Sequence, residues 1–197
     1  PIIFPQLVNH FAKQNLNIQF FSSKLDRKNM LADLSAQQID FVIDLVQPYQ
    51  AHLQFENLIE DYFVVCTQQT KMNLSLYLSS PHIGVSSRRT GLLLEDIYLN
   101  RQQLSRQIFL RCQHYSTALQ VLAQHPNAIL TIPQSILKHL HYSKDLQIYA
   151  LPIELPKINM GMYWHEHVKH NPRHQFLRNE ILKIFNHNLF DEDLHIV

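Results

Sequence analysis

Apolar and polar positions along this chain follow two periods, one helical and one extended. Phe4, Leu7, Val8 and Phe11 fall at i, i+3, i+4 and i+7 with Pro5 near the start, which predicts an amphipathic helix ending near Asn15. Ile18 to Phe21 reads as a strand. A helix from about Asn29 to Gln37 carries Met30, Leu31 and Leu34 on one face, and Asp40 to Asp44 follows as a short buried strand. Strand, helix, strand is the pattern of a parallel-sheet unit.

The pattern continues with a strand over Ile59 to Cys66, a helical turn near Leu74 to Leu78, and an apolar strand that restarts after Pro81 and runs to Val85. Then come a strand at Gln107 to Cys112, a helix at Ser116 to Gln124, a strand at Ala128 to Thr131, a helix from Pro133 to His141 and a strand at Leu146 to Ala150. Pro152 and Pro156 mark an extended connection to a strand at Ile158 to Trp164. A final helix from Pro172 to about His187 turns Leu177, Ile181, Ile184 and Phe185 to the core. The expected fold class is α/β, two Rossmann-like lobes joined by two crossovers. Residues 1–80 and 163–197 form lobe I and residues 81–162 form lobe II. Such a fold is hinged and holds a ligand in the cleft between its lobes.

Composition narrows this picture. With 197 residues and 46% hydrophobic content the chain can bury one good core or two smaller ones, and it is not a disordered tail. Its apolar runs are short or broken by Asp40 and Asp44, so no transmembrane helix and no membrane partner are expected. A net charge of +1, with Arg27-Lys28 and Arg88-Arg89 as the adjacent basic pairs, writes no nucleic-acid surface into the chain. Cys66 and Cys112 lack CxxC spacing and suit a reducing cytoplasm as buried small hydrophobes. No signal-peptide pattern is visible at Pro1, and the start without Met leads us to expect residues upstream.

Candidate chemistry is sparse. His165-Glu166-His167-Val168-Lys169-His170 resembles a zinc-protease helix only at first sight, because Lys169 stands where the second histidine is needed. No metal is expected. Ser86-Ser87 and Ser116-Thr117 lie outside any Gly-x-Ser-x-Gly elbow, and Ser116 is placed to cap the helix that follows it. Three glycines provide no phosphate-cradling loop, so no cofactor and no catalytic residue are expected. His114 differs, because Arg111-Cys112-Gln113-His114-Tyr115-Ser116 carries it where a strand's carboxyl end turns into a helix, the place where open α/β sheets hold ligands.

Taken in order, several segments resemble the effector-binding domain of LysR-type transcriptional regulators. They are Phe4-Pro5-Gln6-Leu7 with Phe11, Leu31 to Ile43, Tyr62-Phe63-Val64-Val65-Cys66, Tyr77 to Ile83, Leu104-Ser105-Arg106 and Thr131-Ile132-Pro133. The most specific is Tyr163-Trp164-His165 followed by Asn171-Pro172 and Phe176-Leu177-Arg178. It is similar to the ending of the subgroup that includes the nodulation regulators and those responding to salicylate-like aromatics. Gln38, Phe176 and Asn171 depart from the family's usual Gly, Trp and Asp.

The resemblance implies a type 2 periplasmic-binding-protein-like fold and a small-molecule inducer, of which an aromatic carboxylate is the subgroup's example. It implies a missing first strand, and a winged helix-turn-helix, both preceding this chain, through which alone the full protein would bind DNA. It also implies a cytoplasmic homodimer or tetramer that pairs through Phe4 to Lys13 and Ser116 to Gln124. The implied effector site comprises Ser86, Ser87, His114, Ser116 and Thr131 as polar groups, with Tyr115 and Ile132 as apolar wall. His114 would donate to a carboxylate or phenolate, more strongly when protonated. Binding rather than turnover is the expected activity. A periplasmic solute-binding protein of the same fold is the alternative.

Overall fold

The helical spacing of Ile3, Leu7 and Phe11 does produce one buried helix face in the computed structural model of the chain, which describes residues 3–14, 16, 18–88 and 90–186. In chain order the elements begin with α1 (Ile3–Lys13), α2 (Met30–Ser35), β1 (Val42–Leu45), β2 (Leu53–Asp61) and β3 (Phe63–Thr67). They continue with α3 (Leu74–Ser79), β4 (Pro81–Val85), α4 (Leu94–Arg101), β5 (Gln107–Cys112), α5 (Tyr115–Leu122) and β6 (Ile129–Pro133). α6 (Gln134–Lys138), β7 (Gln147–Ala150), β8 (Ile158–His165), a 3-10 turn at Glu166–Val168 and α7 (Pro172–Asn186) complete them.

Two compact units share these elements. One takes the chain up to Glu60 and again from Ile158, and the other takes Asp61–Lys157. The divisions fall earlier than the expected 80/81 and 162/163. The reason lies in the ladders: β3 is paired on both sides within the second unit's sheet, and β8 pairs with β1 from Met160 onward.

In the first unit β8 lies between β1 and β2, and β1 pairs with it antiparallel, Val42 opposite Tyr163. Side chains alternate along β8 as a two-residue period requires. Met162 and Trp164 join Leu7, Phe11, Ile181 and Phe185 from α1 and α7, whereas Tyr163 joins Met30, Leu34 and Val42 on the other face with α2. Ile18 to Phe21 form no strand. Ile18 bonds locally to Leu16, and Ile18 and Phe20 pack on the α1–α7 core without a ladder, so the strand-helix-strand unit expected there is absent among the described residues. Asn15 and His187, the expected helix ends, lie outside the described residues.

The second unit has a five-stranded sheet in the order β5-β4-β6-β3-β7. β4 runs parallel to β5 and β6, and β3 runs antiparallel to β6 and β7. Both faces are covered. Val64, Ile83, Leu130, Ile132 and Ile148 pack under α5 and α6, and Val65, Ile129 and Tyr149 pack with Tyr77 and Leu99 of α3 and α4. The run read as one strand from Ile59 to Cys66 is two, β2 and β3, broken at Tyr62. α4 is an element that the hydrophobic pattern does not announce.

Candidate ligand-binding site

The parallel register sets Val85 of β4 opposite Cys112 of β5, so the two strands end level with each other. The Ser86 amide donates to the Cys112 carbonyl at 3.0 Å, which ties the first residue after β4 to the end of β5. The Ser86 hydroxyl then accepts from the Arg88 amide at 3.1 Å and bends the chain, leaving Ser87 exposed. Chains that turn at the carboxyl ends of parallel strands present backbone N–H groups and short side chains outward, the usual setting for a ligand in α/β sheets.

His114 occupies the N-cap position of α5, and its side chain makes no capping bond. Its carbonyl accepts from the Ala118 amide at 3.1 Å and from the Cys112 thiol at 3.6 Å. The ring is exposed and enters no hydrogen bond among the described residues, so both nitrogens are available. Ser116 is also exposed, but α5 begins at Tyr115 and Ser116 lies inside its first turn rather than capping it. Tyr115 is half-buried against the α5–α6 core. Burial, with the nearby Glu95 charge, pushes its phenol well up, so it stays neutral and can only be a wall or a neutral hydrogen-bonding group.

Thr131 and Ile132 stand on β6, the parallel neighbour of β4, near its carboxyl end. β6 runs on to Pro133, past the Thr131 end expected for it, so both residues are inside the strand and point to opposite faces. Ile132 is wholly buried in the α5–α6 core. The Thr131 hydroxyl bonds to the Tyr77 hydroxyl at 2.8 Å and accepts from Arg106 Nη1 at 3.0 Å.

That bond belongs to a polar cluster under the sheet that the sequence reading did not assign. Arg106, with a side chain 1% exposed, donates through Nε to Asp96 at 2.7 Å, and its Nη2 lies 3.5 Å from Glu95. Asp96 is thus the closer partner, and burial lifts the Glu95 carboxyl above the ordinary carboxylate range despite the guanidinium. His82 donates from Nε2 to the Tyr77 carbonyl and turns Nδ1 toward Arg106 Nη1 at 3.4 Å. Burial first, and Arg106 second, lower its pKa to about 4. The signal was present as an arginine just before a strand and an acidic pair in the preceding segment.

The histidines that follow β8 make a different group. His165 and His167 face each other through Nδ1 at 2.5 Å, His52 pairs with Glu166 at 2.6 Å, and His174 bonds to the Asp40 carbonyl and to Arg178. Among the described residues, no three His, Cys, Asp or Glu side chains are placed to hold a metal ion. Of the expected site residues, then, Ser86, Ser87, His114, Tyr115 and Ser116 follow the ends of β4 and β5, and Thr131 and Ile132 lie within β6, the next strand of the same sheet.

Two α/β units, each with helices on both faces of its sheet and linked by two chain passages, define the periplasmic-binding-protein-like class of ligand-binding domain. The sequence pattern of the LysR substrate binding domain matches residues 1–185, and the chain belongs to that family. Among curated relatives it is 22% identical over 188 residues to the HTH-type transcriptional activator NagR of Ralstonia sp and 21% identical over 187 residues to the HTH-type transcriptional activator NahR of Pseudomonas putida. Each alignment covers 92% of this chain but 62% of the relative, so the chain spans under two thirds of their length.

Solved structures share the fold at lower identity. The regulatory domain of MexT, a transcriptional activator in Pseudomonas aeruginosa, has a TM-score of 0.77 at 17% identity, covering 92% of this chain and 90% of that one. The BenM effector binding domain, solved with its effector benzoate, has a TM-score of 0.75 at 12% identity, covering 99% and 91%. Family membership favours a regulator's sensor domain over a periplasmic solute-binding protein. No described helix is long and apolar enough to cross a membrane.

Proposed function

We propose that this chain is the sensor part of a LysR-type transcriptional regulator and binds an aromatic carboxylate at the carboxyl ends of β4 and β5. The observation that carries the reading is the exposed His114 imidazole, free of hydrogen bonds among the described residues, two residues past the end of β5, where strand register and the Ser86–Cys112 bond bring the ends of β4 and β5 level. His114 donates to the carboxylate, Ser86, Ser87 and Ser116 supply hydroxyls, and Tyr115 forms the wall. Thr131 and Ile132 act from behind, fixing the sheet on which these groups stand.

Benzoate in the BenM domain and the activator descriptions of NagR and NahR support the ligand class and the regulatory role. Ligand binding favours one conformation of the chain over another, by no more than its differential affinity for the two. Attached DNA-binding segments read out that shift. The chain itself performs no turnover, works in the cytoplasm, and pairs with a second copy through α1, whose Phe4 and Val8 remain 38% and 37% exposed, and through α5.

A thermal-shift titration with benzoate tests the reading. Benzoate at about 100 times its dissociation constant stabilises the fold by about 2.7 kcal/mol, and His114→Ala removes most of that gain. An unchanged melting temperature with benzoate and salicylate alike overturns the assignment.

A further inference from the structure

One arginine holds the loop that follows β4. Arg111 stands on β5 opposite Gly84, and its Nη1 donates to the Gly91 carbonyl at 2.6 Å while Nη2 donates to those of Arg88 at 3.2 Å and Thr90 at 3.5 Å. The far end of the loop is anchored on β4, because a β carbon on Gly84 would lie 2.5 Å from Leu93 Cδ1. Leu93 therefore occupies the space that a larger residue would take. The segment carrying Ser86 and Ser87 is thus fastened at both ends to β4 and β5.

The charge of this clamp is as informative as its geometry. All three acceptors are backbone carbonyls, and the nearby carboxylates Glu95 and Asp96 are taken by Arg106. Among the described residues Arg111 has no carboxylate as a hydrogen-bond partner, and Arg88 stands exposed in the same loop. Carbonyl dipoles orient a guanidinium without cancelling its formal charge, so a positive field remains at the ends of β4 and β5.

We propose that Arg111 is a positioning residue that holds the Ser86–Gly91 loop in place and makes the site selective for anionic over neutral ligands. The inference rests on the ligand site proposed above and assigns it a charge class through a residue outside the contact set.

Titration calorimetry with benzoate and with benzamide, the same ring without the charge, decides it on wild type, Arg111→Met, Arg111→Lys and His114→Ala, alongside amide hydrogen exchange over residues 86–93. Wild type is expected to prefer benzoate at least tenfold. Arg111→Met should lose most of that preference and exchange its loop amides faster, and Arg111→Lys should retain part of both. Benzoate binding abolished by His114→Ala but untouched by Arg111→Met leaves the site standing and overturns the role of Arg111. Equal affinity of wild type for benzamide overturns the charge selection. If wild type binds neither probe, the site reading falls and the charge selection falls with it. Unchanged loop exchange in Arg111→Met overturns the clamp independently of any ligand.

Discussion

Arg106 of the second unit and Arg178 of the first are both held away from solvent, by partners of opposite kinds. Arg106 of the second unit has two carboxylates, a phenol and a threonine hydroxyl around it. Burial works to lower its pKa, but Tyr77, Glu95 and Asp96 together outweigh burial and raise it. Arg178 of the first unit has no acid among its hydrogen-bond partners in the described residues. It donates to the carbonyls of Val168 and Lys169 and to His174, its guanidinium carbon lies 4.8 Å from the Trp164 ring centre, and burial lowers its pKa. A buried cation held by anions leaves an uncompensated charge behind when it is removed, whereas one held by dipoles and a ring leaves only unfilled acceptors. The Arg106 cluster is therefore the more fragile of the two to charge deletion.

Arg106→Met is the severest test, because it leaves the buried Glu95 and the half-buried Asp96 without their guanidinium and should cost about 3–5 kcal/mol in urea denaturation. Adding Asp96→Asn and Glu95→Gln should recover most of that loss. A triple variant no more stable than Arg106→Met would break the comparison.

Acid should act next most strongly, again on the second unit. The folded state holds His82 neutral with a pKa lowered from 6.5 to about 4. The unfolded chain binds the proton more readily, so stability is full above about pH 6.5 and falls as pH drops toward 4, by about 3 kcal/mol. Melting curves across that range should flatten in a His82→Gln variant. His174 in the first unit is shifted in the same direction, primarily by burial, and adds to the slope.

Arg178→Ala should cost about 2 kcal/mol, from the lost ring contact and the lost donors, and Arg178→Lys should restore little because an ammonium lacks the planar fork. A loss as large as that of Arg106→Met would mean that stranded anions are not what separates the units. At the small end, the His52–Glu166 pair is solvent-exposed on both sides, and Glu166→Gln should leave the melting temperature within experimental scatter.

Helices and strands with an unbroken apolar face were legible from sequence: α1, β5, β8 and α7 stand close to where their spacing puts them. α4 was not, because its buried side includes Glu95, which packs toward Arg106 instead of an apolar neighbour. Periodicity reads such a helix as a loop. Ile18 to Phe21 misled in the opposite way, since apolar content suggests a strand but only a ladder partner makes one. Of the candidate site, the positions of Ser86, Ser87 and His114 just past strand ends were legible, because a turn follows each apolar run. β6 runs two residues past the end expected for it, so Thr131 and Ile132 stand inside the strand, still on the parallel neighbour of β4. Arg111 gave no sign, since nothing in an alternating strand tells which backbone carbonyls a long side chain will reach.

The packing of Trp164 has an optical consequence. It is the chain's one tryptophan, and it is 7% exposed in the core formed by α1, β8 and α7. Its emission therefore reports on the first unit alone, while far-ultraviolet circular dichroism sums over both. Denaturation followed by the two signals on one sample will show coincident transitions if the units melt together, and a spectroscopic lag if they do not.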